Sequence, residues 1–208
     1  GDIEILPFLE AIRQFRFDVK PNDVLYVHLT LVPYVKTSDE LKTKPTQHSV
    51  QKLREIGIQP DVLLCRTERK LSKSMKEKIA LFCSVDTNSV ITAMDVNSIY
   101  EVPLSLEKEG LGGIILDKLG MRTKKPDLTC WEEINKTIKK PEGEVKIGIV
   151  GKYVDLKESY KSLTEALTHG GIGNNVKVIF NWIDAEELEN ESGLKELAVC
   201  DGVLVPGG

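Results

Sequence analysis

Apolar runs and amphipathic segments alternate along this chain, and that alternation limits the available folds more than any other feature. Residues 24–35 form an almost continuous apolar and β-branched run, the pattern of a strand buried on both faces of a parallel sheet. Residues 46–56 then predict a helix that begins near Thr46 or Ser49 and ends at Gly57. A strand followed by such a helix is the first half of a crossover unit.

The alternation continues through the first half of the chain. The pattern predicts a short strand at residues 62–65, a second helix at 72–83, another strand at 90–93, and one or two helices within 103–119. This order predicts right-handed crossovers and a parallel sheet, and therefore an α/β fold.

The composition changes near residue 121. Residues 121–144 contain a basic, proline-containing segment and one short helical pattern at 131–138, and we interpret them as a linker between domains at 1–120 and 145–208. The second domain repeats the order, with strands at 145–150, 176–183 and 203–205 and helices at 157–168 and 185–197. We therefore expect a second, incomplete α/β domain.

The charge balance restricts the class of partner. A net charge of −4 with both signs interspersed argues against a nucleic-acid-binding protein. No apolar run approaches the roughly 20 residues that a membrane helix needs, and the first residues lack the pattern of a signal peptide. We expect a cytoplasmic protein that binds small molecules and neither nucleic acid nor membrane.

The cysteines do not suggest a metal site or a disulfide framework. Cys65, Cys83, Cys130 and Cys200 lie far apart, and the three histidines are equally scattered. We interpret the cysteines as small buried apolar residues in a reducing compartment, with no metal ligands in this chain.

The segment Lys42-Thr43-Lys44-Pro45-Thr46-Gln47-His48 combines two lysines with the start of a predicted helix. Ammonium groups supply charge and a helix N-terminus supplies oriented N–H donors, so this combination suits a phosphate. A solvated surface loop is the alternative interpretation.

Several strings resemble the CTP synthase family in its own order. They are Gly1-Asp2-Ile3-Glu4, His28-Leu29-Thr30-Leu31-Val32-Pro33-Tyr34, the hexapeptide from Lys42 to Gln47, Ile79-Ala80-Leu81-Phe82-Cys83, Asp95-Val96, Val150-Gly151-Lys152-Tyr153 and Val205-Pro206-Gly207-Gly208. The resemblance covers nearly the whole chain.

The resemblance implies a fold in two parts. The first is the C-terminal half of a parallel-sheet, P-loop NTPase-like synthetase domain that binds nucleotides. The second is the first part of a flavodoxin-like glutamine amidotransferase domain.

It also implies the residues that bind UTP and the feedback inhibitor CTP. These are Asp2, Ile3, Glu4, Lys42, Thr43, Lys44, Pro45, Thr46, Gln47, Lys78 and Phe82. The residues alone leave other interpretations open, because Lys78 also fits a solvated helix face and Phe82 a core position.

Further residues correspond to the family's ATP and glutamine sites. Arg66, Met94, Asp95 and Val96 match the ATP site, although Met94 stands where the family often has a basic residue and Arg66 could be a surface arginine. Gly207 and Gly208 match the loop that binds glutamine and stabilises the oxyanion. Cys200 precedes that loop, so we do not interpret it as the nucleophile.

The implied reaction is the ATP-dependent amination of UTP to CTP with ammonia from L-glutamine. The family uses Mg²⁺, is activated by GTP and assembles as a homotetramer. Its phosphate loop, its Mg²⁺-binding glutamate and its catalytic Cys, His and Glu match no segment here, so we expect this chain alone to be inactive and assign it no catalytic residue. Gly151-Lys152-Tyr153 lacks the spacing of a phosphate loop.

Two alternatives remain. The chain could be a nucleotide-binding or oligomerisation module without activity of its own. It could also belong to a related ATP-dependent amidotransferase that acts on a cofactor precursor, although that leaves the Lys42 to Gln47 string unexplained.

Overall fold

The chain divides into two compact units, Gly1–Leu128 and Thr129–Gly208. The computed structural model describes residues 3–152, 154, 157–189 and 191–207. Asp2 and Gly208, both predicted site residues, lie outside that part of the chain. Each unit contains a three-stranded sheet whose strands all run parallel, which confirms the predicted α/β class.

The first unit alternates strands and helices as predicted. In chain order it contains α1 (Leu6–Asp18), β1 (Val27–Leu31), β2 (Tyr34–Val35), β3 (Glu40–Leu41), α2 (Lys44–Glu55), β4 (Val62–Thr67), α3 (Lys73–Cys83), β5 (Val90–Met94), α4 (Val102–Lys108) and α5 (Leu111–Lys118). The sheet order is β1-β4-β5, and β2 and β3 form a separate antiparallel hairpin.

The core of this unit lies on one face of the sheet. Leu63 and Cys65 of β4 are fully buried there against Val50 of α2 and Ile79 of α3. They are two residues apart along the strand, so their side chains project to the same face. The parallel register brings the carboxyl ends of all three strands to one edge, where ligands of α/β proteins usually bind.

Strand β1 differs from its prediction in two respects. It is shorter than the 24–35 run, because the chain turns at Pro33 into the β2–β3 hairpin. It is also not buried on both faces, since Val27, Leu29 and Leu31 are 42–63% exposed. Helices α2 and α3 pack on the opposite face, so the prediction of a strand buried on both faces is wrong for β1.

Helix α1 was missed by the sequence analysis. Proline is tolerated in a helix's first turn, and Pro7 occupies that position. None of its residues is buried, and Phe8 and Phe17 are 69% and 78% exposed. Tyr26 fixes the helix to the rest of the unit by donating its hydroxyl hydrogen bond to the Ile12 carbonyl at 2.7 Å.

The second unit repeats the alternation around its own sheet. It contains α6 (Thr129–Lys139), β6 (Gly143–Gly151), α7 (Lys161–Gly173), β7 (Val176–Asp184), α8 (Glu191–Ala198) and β8 (Gly202–Leu204), with sheet order β7-β6-β8. The predicted linker at 121–144 thus comprises 121–128, which has neither helix nor strand, and α6 with the start of β6. The predicted helix at 157–168 is a short 3-10 segment followed by α7, which continues through Gly170-Gly171.

No helix within the described residues is long and apolar enough to cross a bilayer.

Candidate functional site

A cavity of about 720 Å³ lies where the β2–β3 hairpin, the start of α2, the loop after β4 and helix α3 meet. We call it the basic cavity, because five of its lining residues are cationic: Lys42, Lys44, Arg69, Lys70 and Lys78. Asp39 and Glu40 supply two opposing charges, so the lining carries a net charge of +3. Such a surface attracts an anion with several negative charges.

The N-terminal end of α2 contributes to the same cavity. The helix begins at Lys44, two residues earlier than the predicted Thr46, with Thr43 as its N-cap residue and Pro45 in its first turn. The first N–H groups of an α-helix have no partner within the helix and carry partial positive charge. Thr43 and Lys44 line the cavity, so this end of the helix dipole adds to the lysine charges.

Buried hydroxyls fix that helix end to strand β1. Thr46 is fully buried and donates a hydrogen bond to the Leu31 carbonyl at 2.9 Å. Thr30 donates to the Thr46 hydroxyl at 3.3 Å, and His28 bonds Ser49 one turn further along α2 at 2.8 Å. Polar contacts between β1 and α2 therefore determine where Lys42, Thr43 and Lys44 lie.

The basic cavity brings together four of the residues predicted for UTP and CTP: Lys42, Thr43, Lys44 and Lys78. The other predicted positions do not line it. Pro45 is exposed, and Thr46 is buried on the side of α2 that faces β1. The Gln47 side-chain amide donates a hydrogen bond to the Thr43 hydroxyl at 3.2 Å.

Three further predicted positions also lie outside the cavity lining. Phe82 is 56% exposed on α3, which contradicts the alternative of a core aromatic. Ile3 and Glu4 belong to a short 3-10 helix, Ile3–Ile5, where Glu4 is exposed.

Arg69, Lys70 and Tyr34 also line the basic cavity, although no sequence pattern predicted them as site residues. The Arg69 guanidinium carbon lies 3.9 Å from the centre of the Tyr34 ring, a cation–π contact. Both cations follow β4 directly. Their place after a predicted strand was a usable signal, because the carboxyl ends of parallel strands share one edge.

A second cavity, of about 490 Å³, lies at the carboxyl ends of β4 and β5, and we call it the strand-end cavity. All four residues predicted for ATP line it: Arg66, Met94, Asp95 and Val96. Arg66 Nε donates to Asp95 Oδ1 at 2.7 Å, so the exposed guanidinium is tied to the neighbouring strand end. Apolar side chains of β1 and α4 form much of the remaining wall, which suits a flat aromatic ring.

In the second unit, Gly207 follows β8, which pairs with β6. A Cβ atom at Gly207 would meet nothing within 4 Å, so its own surroundings do not require glycine there. At the end of β6, a Cβ atom on Gly151 would lie 2.8 Å from the Tyr160 hydroxyl, so a larger residue there would force the Tyr160 side chain to shift.

Two of the four cysteines have the buried environment that was predicted for all of them. Cys65 and Cys83 are fully buried, and burial raises the pKa of their thiols to about 12 and about 11. Cys130 is exposed and Cys200 is half-buried, so the prediction is wrong for Cys130. Across the described ranges, no three His, Cys, Asp or Glu side chains converge as a metal site would require.

Comparison with known proteins adds a family to this geometry. The family model described as CTP synthase N-terminus matches residues 1–121, which is more than half of the chain. The chain belongs to the CTP synthase family. That match spans the whole of the basic and strand-end cavities.

Curated relatives extend the similarity over both units. Proteins named CTP synthase from Pelobacter propionicus, Geobacter sulfurreducens and Ruminiclostridium cellulolyticum are 59%, 57% and 55% identical to this chain. Each alignment covers the whole of this chain and 39% of the relative. The chain thus spans about two fifths of the length of these CTP synthases.

Proposed function

We propose that this chain is the nucleotide-binding portion of a CTP synthase, an enzyme that aminates UTP to CTP at the expense of ATP with ammonia from L-glutamine. Family membership and the relatives' names support the activity. The observation that carries the proposal is the basic cavity, because five cations and a helix N-terminus surround a space large enough for a phosphate chain.

In this proposal, Lys42, Lys44 and Lys78 bind the triphosphate of UTP or CTP. Lysine contributes point charges, whereas the first N–H groups of α2 contribute directed hydrogen bonds. Thr43 lines the cavity and Gln47 holds its hydroxyl, so these two residues orient the start of the helix. Thr46 anchors that helix to β1 through its hydrogen bond to the Leu31 carbonyl.

The remaining pyrimidine-site residues of the proposal are Asp2, Ile3, Glu4, Pro45 and Phe82. They stand outside the lining of the basic cavity or outside the described residues, so their contribution would be to the nucleoside end of the ligand. An exposed Phe82 is available for stacking on a base.

We place ATP in the strand-end cavity, with its adenine against the apolar wall and Arg66 near its phosphates. Asp95 holds the guanidinium at the cavity. Backbone groups of Met94 and Val96 are available to the adenine edge. The two nucleotides would then lie at the same edge of one sheet, as transfer of a phosphoryl group to the uracil 4-oxygen requires.

The finer assignments of the fold follow the same proposal. Residues 1–120 correspond to the C-terminal part of a P-loop NTPase-like synthetase domain, 121–144 to a linker, and 145–208 to the start of a flavodoxin-like glutamine amidotransferase domain. Gly207 and Gly208 would bind glutamine there, since glycine lets backbone N–H groups approach a substrate closely.

The whole enzyme would use Mg²⁺, respond to GTP and act in the cytoplasm as a homotetramer. The described side chains include no group of three or more His, Cys, Asp or Glu that could hold a metal ion. Magnesium commonly binds through nucleotide phosphates with few protein ligands.

Titration calorimetry of CTP and UTP against the chain tests the binding proposal. We expect binding that weakens about tenfold in Lys42→Ala and in Lys44→Ala, because a hydrogen bond to a charged group contributes about 1.5–3 kcal/mol when shielded and less at an exposed site. Lys52→Ala is the matched control, since Lys52 lies on α2 but pairs with Glu55 at the opposite end.

Equal affinity in all four proteins would contradict the proposal. Absence of binding by the unmutated chain would also contradict the proposal that this chain binds the nucleotide by itself, and would indicate that partner subunits or further segments complete the site. The same chain should convert no UTP to CTP when it is supplied with ATP and ammonium, and turnover would contradict the expected inactivity.

A further inference from the structure

Two carboxylates of the β2–β3 hairpin pair with two of the five cations of the basic cavity. Arg69 Nη1 donates to Asp39 Oδ1 at 2.7 Å, and Lys42 Nζ pairs with Glu40 Oε2. Both carboxylates line the cavity themselves. The cavity therefore contains internal counterions for the cations that would attract a ligand.

Both carboxylates are charged at neutral pH. Hydrogen bonds from Tyr34 and then Arg69 hold the pKa of Asp39 below its usual range. The hydrogen bond from Lys42 lowers the pKa of Glu40 in the same way. A phosphate that reaches Lys42 or Arg69 thus competes with a carboxylate already paired there.

Arg69 makes a second contact at the cavity, with a tyrosine of the same hairpin. Its guanidinium stacks on the Tyr34 ring, and Tyr34 belongs to β2. The Tyr34 hydroxyl also donates a hydrogen bond to Asp39, so the ring and the carboxylate together position the guanidinium. Arginine presents a planar set of donors that matches two phosphate oxygens as well as it matches a carboxylate.

The hairpin that bears the two acids has a short ladder. Its ladder consists of two residue pairs, Tyr34↔Leu41 and Val35↔Glu40. Asp39 has a φ of +49°, a left-handed conformation that aspartate and asparagine tolerate better than most residues. Leu41 packs against the core and anchors the base of the hairpin, whereas the side chains of Asp39 and Glu40 are exposed, so these carboxylates can turn away from their cations without movement of the strands.

We propose that Arg69 is a further anion-binding residue of the basic cavity, and that Asp39 and Glu40 are internal counterions which a bound phosphate chain displaces. This inference rests on the proposed function of the cavity as a triphosphate site. A phosphate chain carries several negative charges and can engage Arg69 and Lys42 together, whereas each carboxylate engages one cation. No covalent bond changes in this exchange.

Calorimetric titration with inorganic tripolyphosphate and with UTP tests the inference. The variants are Arg69→Gln, Asp39→Asn and Glu40→Gln. Each removes one charge; the two acid variants keep the shape of the side chain, and Arg69→Gln shortens it and keeps a polar amide. Asparagine also accepts the positive φ at position 39. Thermal unfolding of each variant verifies that it is folded, and the two acid variants lie at separate positions in case one is not.

Arg69→Gln should weaken both ligands about tenfold. Asp39→Asn and Glu40→Gln should each strengthen both ligands about two- to fivefold, the range to which exposed ion pairs correspond. Glu55→Gln is the matched control: it breaks a similar pair with Lys52, at the far end of α2, roughly 17 Å away and beyond the screening length of physiological salt. It should change neither affinity.

The double variant separates counterion exchange from a general charge effect. If Asp39 acts by occupying Arg69, then Asp39→Asn should strengthen binding in the unmutated background and change it less than 1.5-fold when Arg69→Gln is already present. Equal gains in both backgrounds would overturn the proposal, as would unchanged affinity in Arg69→Gln.

The outcomes also distinguish this inference from the proposed function. Binding that depends on Lys44 but not on Arg69, Asp39 or Glu40 would contradict the inference alone. Absence of tripolyphosphate and UTP binding in every protein would contradict both.

Discussion

At the scale of single residues, a few polar side chains determine where Lys42, Thr43 and Lys44 lie. Thr46 illustrates this, because it is part of the predicted binding segment yet its hydroxyl is buried against β1. The sequence identified the segment, but it did not show which of its residues line the cavity and which anchor the helix. A threonine near a predicted helix start fits a cap, a ligand contact or a buried anchor equally well, and only tertiary packing decides among them.

Replacement of Thr46 by valine should destabilise the first unit by about 1–3 kcal/mol. Valine keeps the shape and a similar helix propensity but leaves the Leu31 carbonyl without its hydroxyl donor. Urea denaturation measures the change. Thr123→Val, at an exposed position in the 121–128 segment, should differ from the unmutated chain by less than 0.5 kcal/mol. An equal effect of both substitutions would contradict the anchoring role.

Thiol reactivity should follow burial. Since burial raises the pKa of Cys65 and Cys83 to about 12 and about 11, their reactive thiolate forms are nearly absent at pH 8. We expect iodoacetamide to alkylate exposed Cys130 in the folded chain, and Cys65 and Cys83 only after denaturation. Mass spectrometry of peptides at successive times measures this order. Rapid alkylation of Cys65 in the folded chain would contradict the described core.

At the scale of elements, hydrophobic periodicity predicted the parallel strands and most helices of both units. It did not predict the start of α2 at Lys44, because the first residues of this helix are polar and show no hydrophobic periodicity. Pro45 in the first turn is the better indication of where the helix begins. It missed α1, although Leu6, Leu9 and Ile12 recur at helical spacing. It also could not anticipate that β1 would keep one face exposed, which depends on what packs there.

A partly buried ion pair supports the open edge of the first sheet. Glu109, at the end of α4, accepts hydrogen bonds from Lys76 Nζ of α3 at 2.6 Å and from the Thr92 N–H of β5 at 3.1 Å. The carboxylate thereby satisfies a backbone donor of an edge strand, and it ties that strand to the helix that bears Lys78. Periodicity gives no signal for such a contact.

Glu109→Gln should lower the free energy of unfolding by about 1–3 kcal/mol at pH 7. Burial raises the pKa of Glu109, but the hydrogen bonds from Lys76 and Thr92 outweigh that effect, so its pKa lies below the ordinary value of 4.5. A lowered pKa means that the contribution is complete above pH 4.5 and is lost as the pH falls through the pKa of the folded state. Urea denaturation should therefore show the variant and the unmutated chain converging under acidic conditions.

Glu77→Gln provides the comparison for that experiment. Glu77 is exposed on α3 and lies 3.9 Å from Lys73, so its removal should change stability by less than about 0.5 kcal/mol at any pH. A difference between Glu109→Gln and the unmutated chain that stayed constant from pH 7 to pH 3 would contradict an ionic contribution.

At the scale of the whole molecule, the first unit presents two cavities at one edge of a parallel sheet, and the second unit contains a parallel sheet of its own with a glycine-containing segment after β8. The family assignment was predictable, because it depends on contiguous strings such as the Lys42 to Gln47 hexapeptide. The complete set of residues that line the basic cavity was not predictable, since Arg69 and Tyr34 lie outside that string and come next to it only in the folded chain.

The central claim is that the basic cavity binds a pyrimidine nucleoside triphosphate. Amide NMR spectra of the ¹⁵N-labelled chain during titration with UTP test its location directly, with Lys44→Ala as the control for specificity. The amides of Lys42, Thr43, Lys44 and Lys78 should shift first and most, and the Lys44→Ala variant should need about tenfold more UTP for the same change. Shifts that cluster instead around Asp95 and Val96, or shifts that are unaffected by Lys44→Ala, would contradict the claim.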